Sequence, residues 1–296
     1  MPTTLQHLLD TQPVVIADGG MGTMLIAEGL QRGTAPELWN VDHPEIVRQI
    51  HAAYIAAGAQ IILTNSFGGN RLRLKSAHLD ARTAEFNRAA ALLARLEADR
   101  ADHPVVVAGS VGPTGALLAP LGDLEFEDAV SVFSEQIGAL VDGGVDLLWI
   151  ETMSDLQEVC AAVEACQRTA PGFPRVATMS FDTHGRTMMG VTPAQALTTI
   201  RGLGVVALGA NCGNGPDELE RVIAAMHEAD DQLVLIAKAN AGLPHLHGDS
   251  TVYEAEPEAM ADYARRVRAF GARIVGSCCG STPDHIRAIA GALCEP

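Results

Sequence analysis

The chain has little of what several functions require. Aromatic residues are only 4% of its 296, which leaves few rings for any site that would cage a cation. Basic residues number 20 against 36 acidic ones, a net charge of −16. Acidic bulk repels phosphate backbones, so nucleic acid is excluded as an expected partner. The one tight basic cluster, Arg71, Arg73 and Lys75, reads as a solvated helix face. No uninterrupted apolar run reaches the length of a membrane span, so no membrane association is expected. The opening stretch MPTTLQHLLDTQPVV lacks a basic segment leading into an apolar core, which argues against a secretory leader and for the cytoplasm. Six cysteines are too sparse for a disulfide scaffold and are expected to be free thiols. Cys160, Cys166 and Cys294 fall in helix-like contexts with no evident role. No linker or low-complexity tract divides the chain, and 48% hydrophobic content supports one large core, so a single domain over 1–296 is expected. A homo-oligomer is left open.

What is present is a rhythm. Eight short apolar runs, PVVIAD (13–18), AQIILTNSF (59–67), VVVAGSVGP (105–113), DLLWIET (146–152), RVATMSF (175–181), VVALGANC (205–212), QLVLIAKANAG (232–242) and ARIVGSCCG (272–280), alternate with amphipathic stretches. Near-continuous apolar runs are what parallel strands buried on both faces require. Between them, 43–58 reads as a helix capped by Asp42 and stopped at Gly58, and 192–204 opens on Thr192, Pro193 and Gln195, a capping box with proline in the first turn. Residues 281–293 repeat the cap-then-proline device. Eight such units predict an α/β fold, a (β/α)8 TIM barrel. An open doubly wound sheet is the alternative, but no G-x-G-x-x-G follows the first run.

The runs end on polar or reactive residues: Asp18-Gly19-Gly20, Thr64-Asn65-Ser66-Phe67, Glu151-Thr152, Asn211-Cys212, Asn240 and Cys278-Cys279. In a barrel these ends form one catalytic rim. Cys212 and the Cys278–Cys279 pair then stand on the sixth and eighth strands, close enough to share an ion. Three thiolates point to Zn2+, and three protein ligands leave a fourth position open, as a catalytic site requires. Adjacent residues on a strand face opposite ways, so both cysteines reach one ion only if the chain turns at Gly280. The alternative is three buried cysteines acting as small hydrophobes.

Together ADGGMGTML, ILTNSFGGN, VAGSVGPTG, WIETMSD, GANCGNGPDEL, ANAGLP and IVGSCCGSTPDHI resemble the homocysteine S-methyltransferases over nearly the whole chain. The resemblance implies a TIM barrel with zinc on Cys212, Cys278 and Cys279, homocysteine as methyl acceptor and methionine as product. It places Asp18, Gly19, Gly20, Thr64 and Glu151 around the amino-acid end of homocysteine. Asn240 matches an asparagine that closes the resting zinc in some members.

The donor is less legible. A small onium donor, betaine foremost, would favour an aromatic cage, and Trp39, Phe67 and Phe181 are the candidate rings. Arg186 or His184, in FDTHGRTMMGVTP, would meet a donor carboxylate. Gly68 and Thr152 stand where vertebrate-type betaine enzymes carry tyrosines. A sulfonium donor such as S-methylmethionine, or a methylated corrinoid on a partner protein, is the alternative. His245 and His247, after the seventh run, are read as loop histidines that could cover the site. Outside this family, the same thiols could serve a zinc or redox sensor, and a zinc hydrolase would need a general base that the sequence does not place beside them.

Overall fold

A computed structural model describes residues 4–247 and 250–294. Eight parallel strands alternate with helices: β1 (Val15–Ile16), β2 (Ile61–Leu63), β3 (Val106–Val111), β4 (Leu147–Met153), β5 (Arg175–Met179), β6 (Ala207–Cys212), β7 (Leu235–Ala239) and, after an inserted hairpin of β8 (Pro244–His247) and β9 (Ser250–Tyr253), β10 (Ala272–Ser277). Their order is β1-β10-β7-β6-β5-β4-β3-β2, and a parallel bridge from Ala17 to Ile61 joins the two ends. This is the (β/α)8 barrel expected from the alternation.

The period of two along each strand sorts the core into two layers. Val15, Ala17, Ile61, Leu63, Val106, Ala108, Leu147, Trp149, Val176, Ala207, Ile236 and Ile274 fill the barrel interior. Their neighbours Ile16, Ile62, Val107, Leu148, Ala177, Leu208, Leu235 and Val275 belong to the layer beneath the helices. The helix Leu5–Thr11 sends Leu5 and Leu8 into the interior cluster, against the first residues of several strands, and so stoppers the N-terminal end of the barrel. Polar residues are left to the other end. Continuing the inward series by two places Ser110 beyond Ala108, Glu151 beyond Trp149, Asn211 beyond Ala207 and Gly209, and Lys238 beyond Ile236.

Helix boundaries follow their caps, with one correction. Thr192 and Gln195 form the expected capping box, and before the last helix the His285 ring nitrogen Nδ1 bonds back to the Thr282 N–H and hydroxyl. Asp42 does not cap the helix Pro44–Ala56. It ends the short helix Trp39–Asp42, and His43 holds the cap position with no side-chain bond. The stretch after β7, read from sequence as loop, is the antiparallel hairpin. Its tip, 248–249, and the His247 side chain lie outside the described residues, while His245 is exposed, with Nε2 3.9 Å from Glu254.

Candidate active site

A cavity of about 680 Å³ opens at the C-terminal end of the strands. Its wall includes Asp18, Gly19, Gly20, Thr64, Phe67, Glu151, Cys212, Cys278 and Cys279, so most of the residues singled out from sequence converge on one space. It also includes Ser110, Lys238, Tyr253, Glu37, Arg32 and Arg73, whose part the sequence reading missed.

Three sulfurs cluster at its side. Cys212 Sγ lies 3.2 Å from Cys278 Sγ and 3.7 Å from Cys279 Sγ, and all three lie within 4.8 Å of one another. Tetrahedral zinc with Zn–S of about 2.3 Å sets its sulfurs about 3.8 Å apart. The spacing and the donor set therefore suit zinc. Two backbone devices bring the thiols together. Cys212 takes φ of 63°, a left-handed conformation rare outside glycine, which swings its side chain out of the β6 alternation. Gly280, at φ of 82°, turns the chain after Cys279, and a Cβ there would come 2.2 Å from Tyr253 Cγ. The turn anticipated from sequence is thus present, and Tyr253 packs on it.

Asn240, matched to a zinc-closing asparagine from sequence, spends its amide on backbone groups. Its Oδ1 accepts from the Cys279 N–H at 3.0 Å and its Nδ2 donates to the Gly213 carbonyl at 2.7 Å, so the amide ties together the two segments that carry the thiols. Among the thiols, Cys279 is held far below the usual range by hydrogen bonds from Cys212 first, then Cys278 and Tyr253. Cys212 is pushed up by its bonds to the other two.

Beside the thiols lies a buried charge network. Lys238 Nζ donates to Asp18 Oδ1 at 2.8 Å and sits 5.3 Å from the centroid of the Trp149 ring, at the top of the interior layer. Asp18 Oδ2 accepts from the Leu63 N–H at 2.7 Å. Glu151 accepts from the Ser110 hydroxyl, and Ser110 N–H in turn donates to Thr64 Oγ1 at 3.0 Å. Burial pushes the Glu151 carboxyl up to about 7, against the pull of Lys238. Burial likewise raises Asp18. Burial alone would lower Lys238, but Asp18 and Glu151 outweigh it and hold the ammonium above its usual range. The Gly19–Gly20 turn is locked to the cysteine loop: Gly20 N–H donates to Ser281 Oγ at 3.0 Å, and Gly280 N–H donates to Thr23 Oγ1 at 2.8 Å.

On the donor side the expectations need correction. Trp39 is buried in the layer beneath the helices, its ring against His43 with centroids 4.6 Å apart, and it is not on the cavity wall. Phe181 is likewise taken up by the core, and Arg186 is exposed with Nη1 on the Gly190 carbonyl at 3.2 Å. Phe67 does line the cavity, yet its ring packs on Gly112 and carries the Arg73 guanidinium 5.5 Å from its centroid. Among the described residues, the rings on the wall are Phe67 and Tyr253, and they form no three-ring cage. Arg73, read from sequence as a solvated helix residue, stands at the cavity mouth near Glu37, whose buried carboxylate accepts from the Gly68 N–H at 2.6 Å.

Comparison with known proteins identifies relatives of the whole barrel. The chain is 33% identical over 309 residues to a protein named methionine synthase from Mycobacterium leprae, an alignment covering 97% of this chain and 26% of that protein. The Mycobacterium tuberculosis methionine synthase matches to the same extent. The chain thus spans about a quarter of the length of these curated relatives. The metallated form of the Escherichia coli homocysteine methyltransferase MmuM superposes with a TM-score of 0.81 at 27% identity, covering 97% of this chain and 99% of that one. Its oxidized form gives 0.80 at 28%, covering 97% and 98%. The family profile described as Homocysteine S-methyltransferase matches residues 15–293, and the chain belongs to that family.

Proposed function

We propose that this protein transfers a methyl group from a small onium donor, betaine foremost, to the thiol of homocysteine, giving methionine, with Zn2+ as cofactor. The observation that carries the reading is the juxtaposition of three clustered sulfurs with a buried pair of carboxylates in one cavity. The sulfurs suit a thiophilic metal, and the carboxylates suit the ammonium of an amino acid.

Cys212, Cys278 and Cys279 would hold the zinc. When bound, it would supply a Lewis acid that makes a thiol acidic enough to need no side-chain base. Glu151, beside the Asp18–Lys238 pair, anchors the amino-acid end of the acceptor and so aims its sulfur at the donor. That alignment turns an encounter of two substrates into a single oriented step. The thiolate sulfur attacks the methyl carbon, the carbon–nitrogen bond breaks, and its electron pair stays on nitrogen, which becomes neutral. No residue need be methylated on the way. Arg73 and Arg32 at the mouth favour a donor that carries a carboxylate as well as its onium centre.

The test is methionine formation by zinc-loaded protein from homocysteine with betaine, dimethylsulfoniopropionate, S-methylmethionine, S-adenosylmethionine or a methylated corrinoid, each supplied alone. Turnover with betaine is expected. Turnover only with a sulfonium or the corrinoid would replace the donor and keep the acceptor. Failure to bind homocysteine would overturn the whole reading. Cys212→Ala, Cys278→Ala and Cys279→Ala are each expected to lose zinc and activity while keeping the far-UV circular dichroism of the barrel. Full activity in any zinc-free variant would refute the role of the metal.

A further inference from the structure

Lys238 has bonding capacity that the fold does not use. It is 2% exposed, yet it lines the cavity. An ammonium carries three donors. Among the described residues, one of them goes to Asp18 Oδ1 and no second hydrogen bond is made. The remaining donors of a buried ammonium need an acceptor, because leaving them unpaired in a low-dielectric site is costly. The cavity is where that acceptor can enter.

Charge says what the acceptor is. Lys238 and Asp18 form a neutral pair, and Glu151 remains as the carboxyl available to a cationic group. An amino-acid substrate brings an ammonium for Glu151 and also a carboxylate, which needs a positive partner at the same depth. Arg32 and Arg73, the other cations on the wall, are exposed at its mouth. We infer that Lys238 is the specificity residue for the α-carboxylate of the acceptor, so that the site reads a zwitterion: ammonium at Glu151, carboxylate at Lys238, thiol at the sulfur cluster. This rests on homocysteine being the acceptor.

The experiment is calorimetric binding of L-homocysteine and of 3-aminopropane-1-thiol, which keeps the amine and thiol and lacks the carboxylate, to zinc-loaded protein. Wild type is expected to prefer homocysteine by about 10- to 100-fold, the strength of a hydrogen bond to a charged group. Lys238→Met is expected to abolish that preference by weakening homocysteine alone, and Lys238→Arg to restore part of it. Lys238→Met leaves Asp18 buried without its partner, so the double variant Asp18→Asn/Lys238→Met is measured beside it and the same ratio is read. Equal affinities in wild type, or an unchanged ratio in both Met variants, would overturn the assignment and leave homocysteine as acceptor. Wild type that binds neither thiol would overturn the acceptor reading along with it.

Discussion

Glu151 is a carboxyl whose usual value near 4.5 is lifted to about 7 because the barrel withdraws it from water faster than Lys238 can compensate. Only its ionised form attracts an ammonium. We therefore expect kcat/KM for homocysteine to rise as pH climbs through about 7 and then level off, since this ratio reports groups of the free enzyme. Glu151→Gln should lower kcat/KM and flatten the rise; an undiminished inflection near 7 in that variant would assign it elsewhere. The same shift has an opposite sign for stability. A carboxyl raised in the fold favours the folded state below about 4.5, and that contribution is lost as pH rises through about 7. The free enzyme thus gives up some stability in the pH range where it gains an acceptor site. Glu151 was legible from sequence as a polar end to an apolar run. Lys238 was not, because a lysine two places after Ile236 in LIAKANAG looks like a solvated strand end until the inward series is drawn.

Strands and loops decide whether the three sulfurs meet. Eight apolar runs with helical stretches between them made the barrel readable, because burial on both faces leaves parallel strands little freedom of composition. The end of each run was likewise readable as rim. The hairpin Pro244–Tyr253 was not, since its strands are short and carry histidines and threonine where an apolar alternation would have marked them. Tyr253 went unnoticed with it. The cage residues failed for a related reason: sequence places an aromatic near the rim but does not say whether the core claims its ring, as it claims Trp39 and Phe181. The Gly280 turn joins these elements. Gly280→Ala adds a Cβ at positive φ in the space of the Tyr253 ring. We expect the hairpin to shift, zinc affinity to fall by about tenfold or more through loss of support around the ligands, and the melting temperature to drop by a few degrees at most. Unchanged zinc affinity by competition with a chelator would show that the turn and Tyr253 do not support the site.

On the scale of the whole molecule, the chain divides labour between its two ends. The N-terminal helix seals the barrel floor with Leu8, 1% exposed, and contributes nothing to the cavity wall. Leu8→Ala should cost about 2–5 kcal/mol of stability, as deletion of a buried leucine does, read as an earlier denaturation midpoint. kcat and KM at a temperature where the variant is folded should stay as in wild type; a matching loss of activity would mean that the floor also shapes the site. Net charge and composition bear on the class of partner to expect but not on the donor, which in the proposed function is chosen by a few side chains at the mouth.

The stoppered floor also has a consequence for traffic. With one end of the barrel filled by the Leu5–Thr11 helix, the reacting centre is a cul-de-sac. The seat proposed for the acceptor, at Glu151 and Lys238, is buried, while Phe67 and the exposed Arg73, the ground proposed for the donor, are less so. On that reading a donor that arrives early would stand in the doorway, and methionine would leave only after the spent donor had stepped aside. On the proposed function we therefore expect last-in, first-out traffic, with the acceptor loaded before the donor.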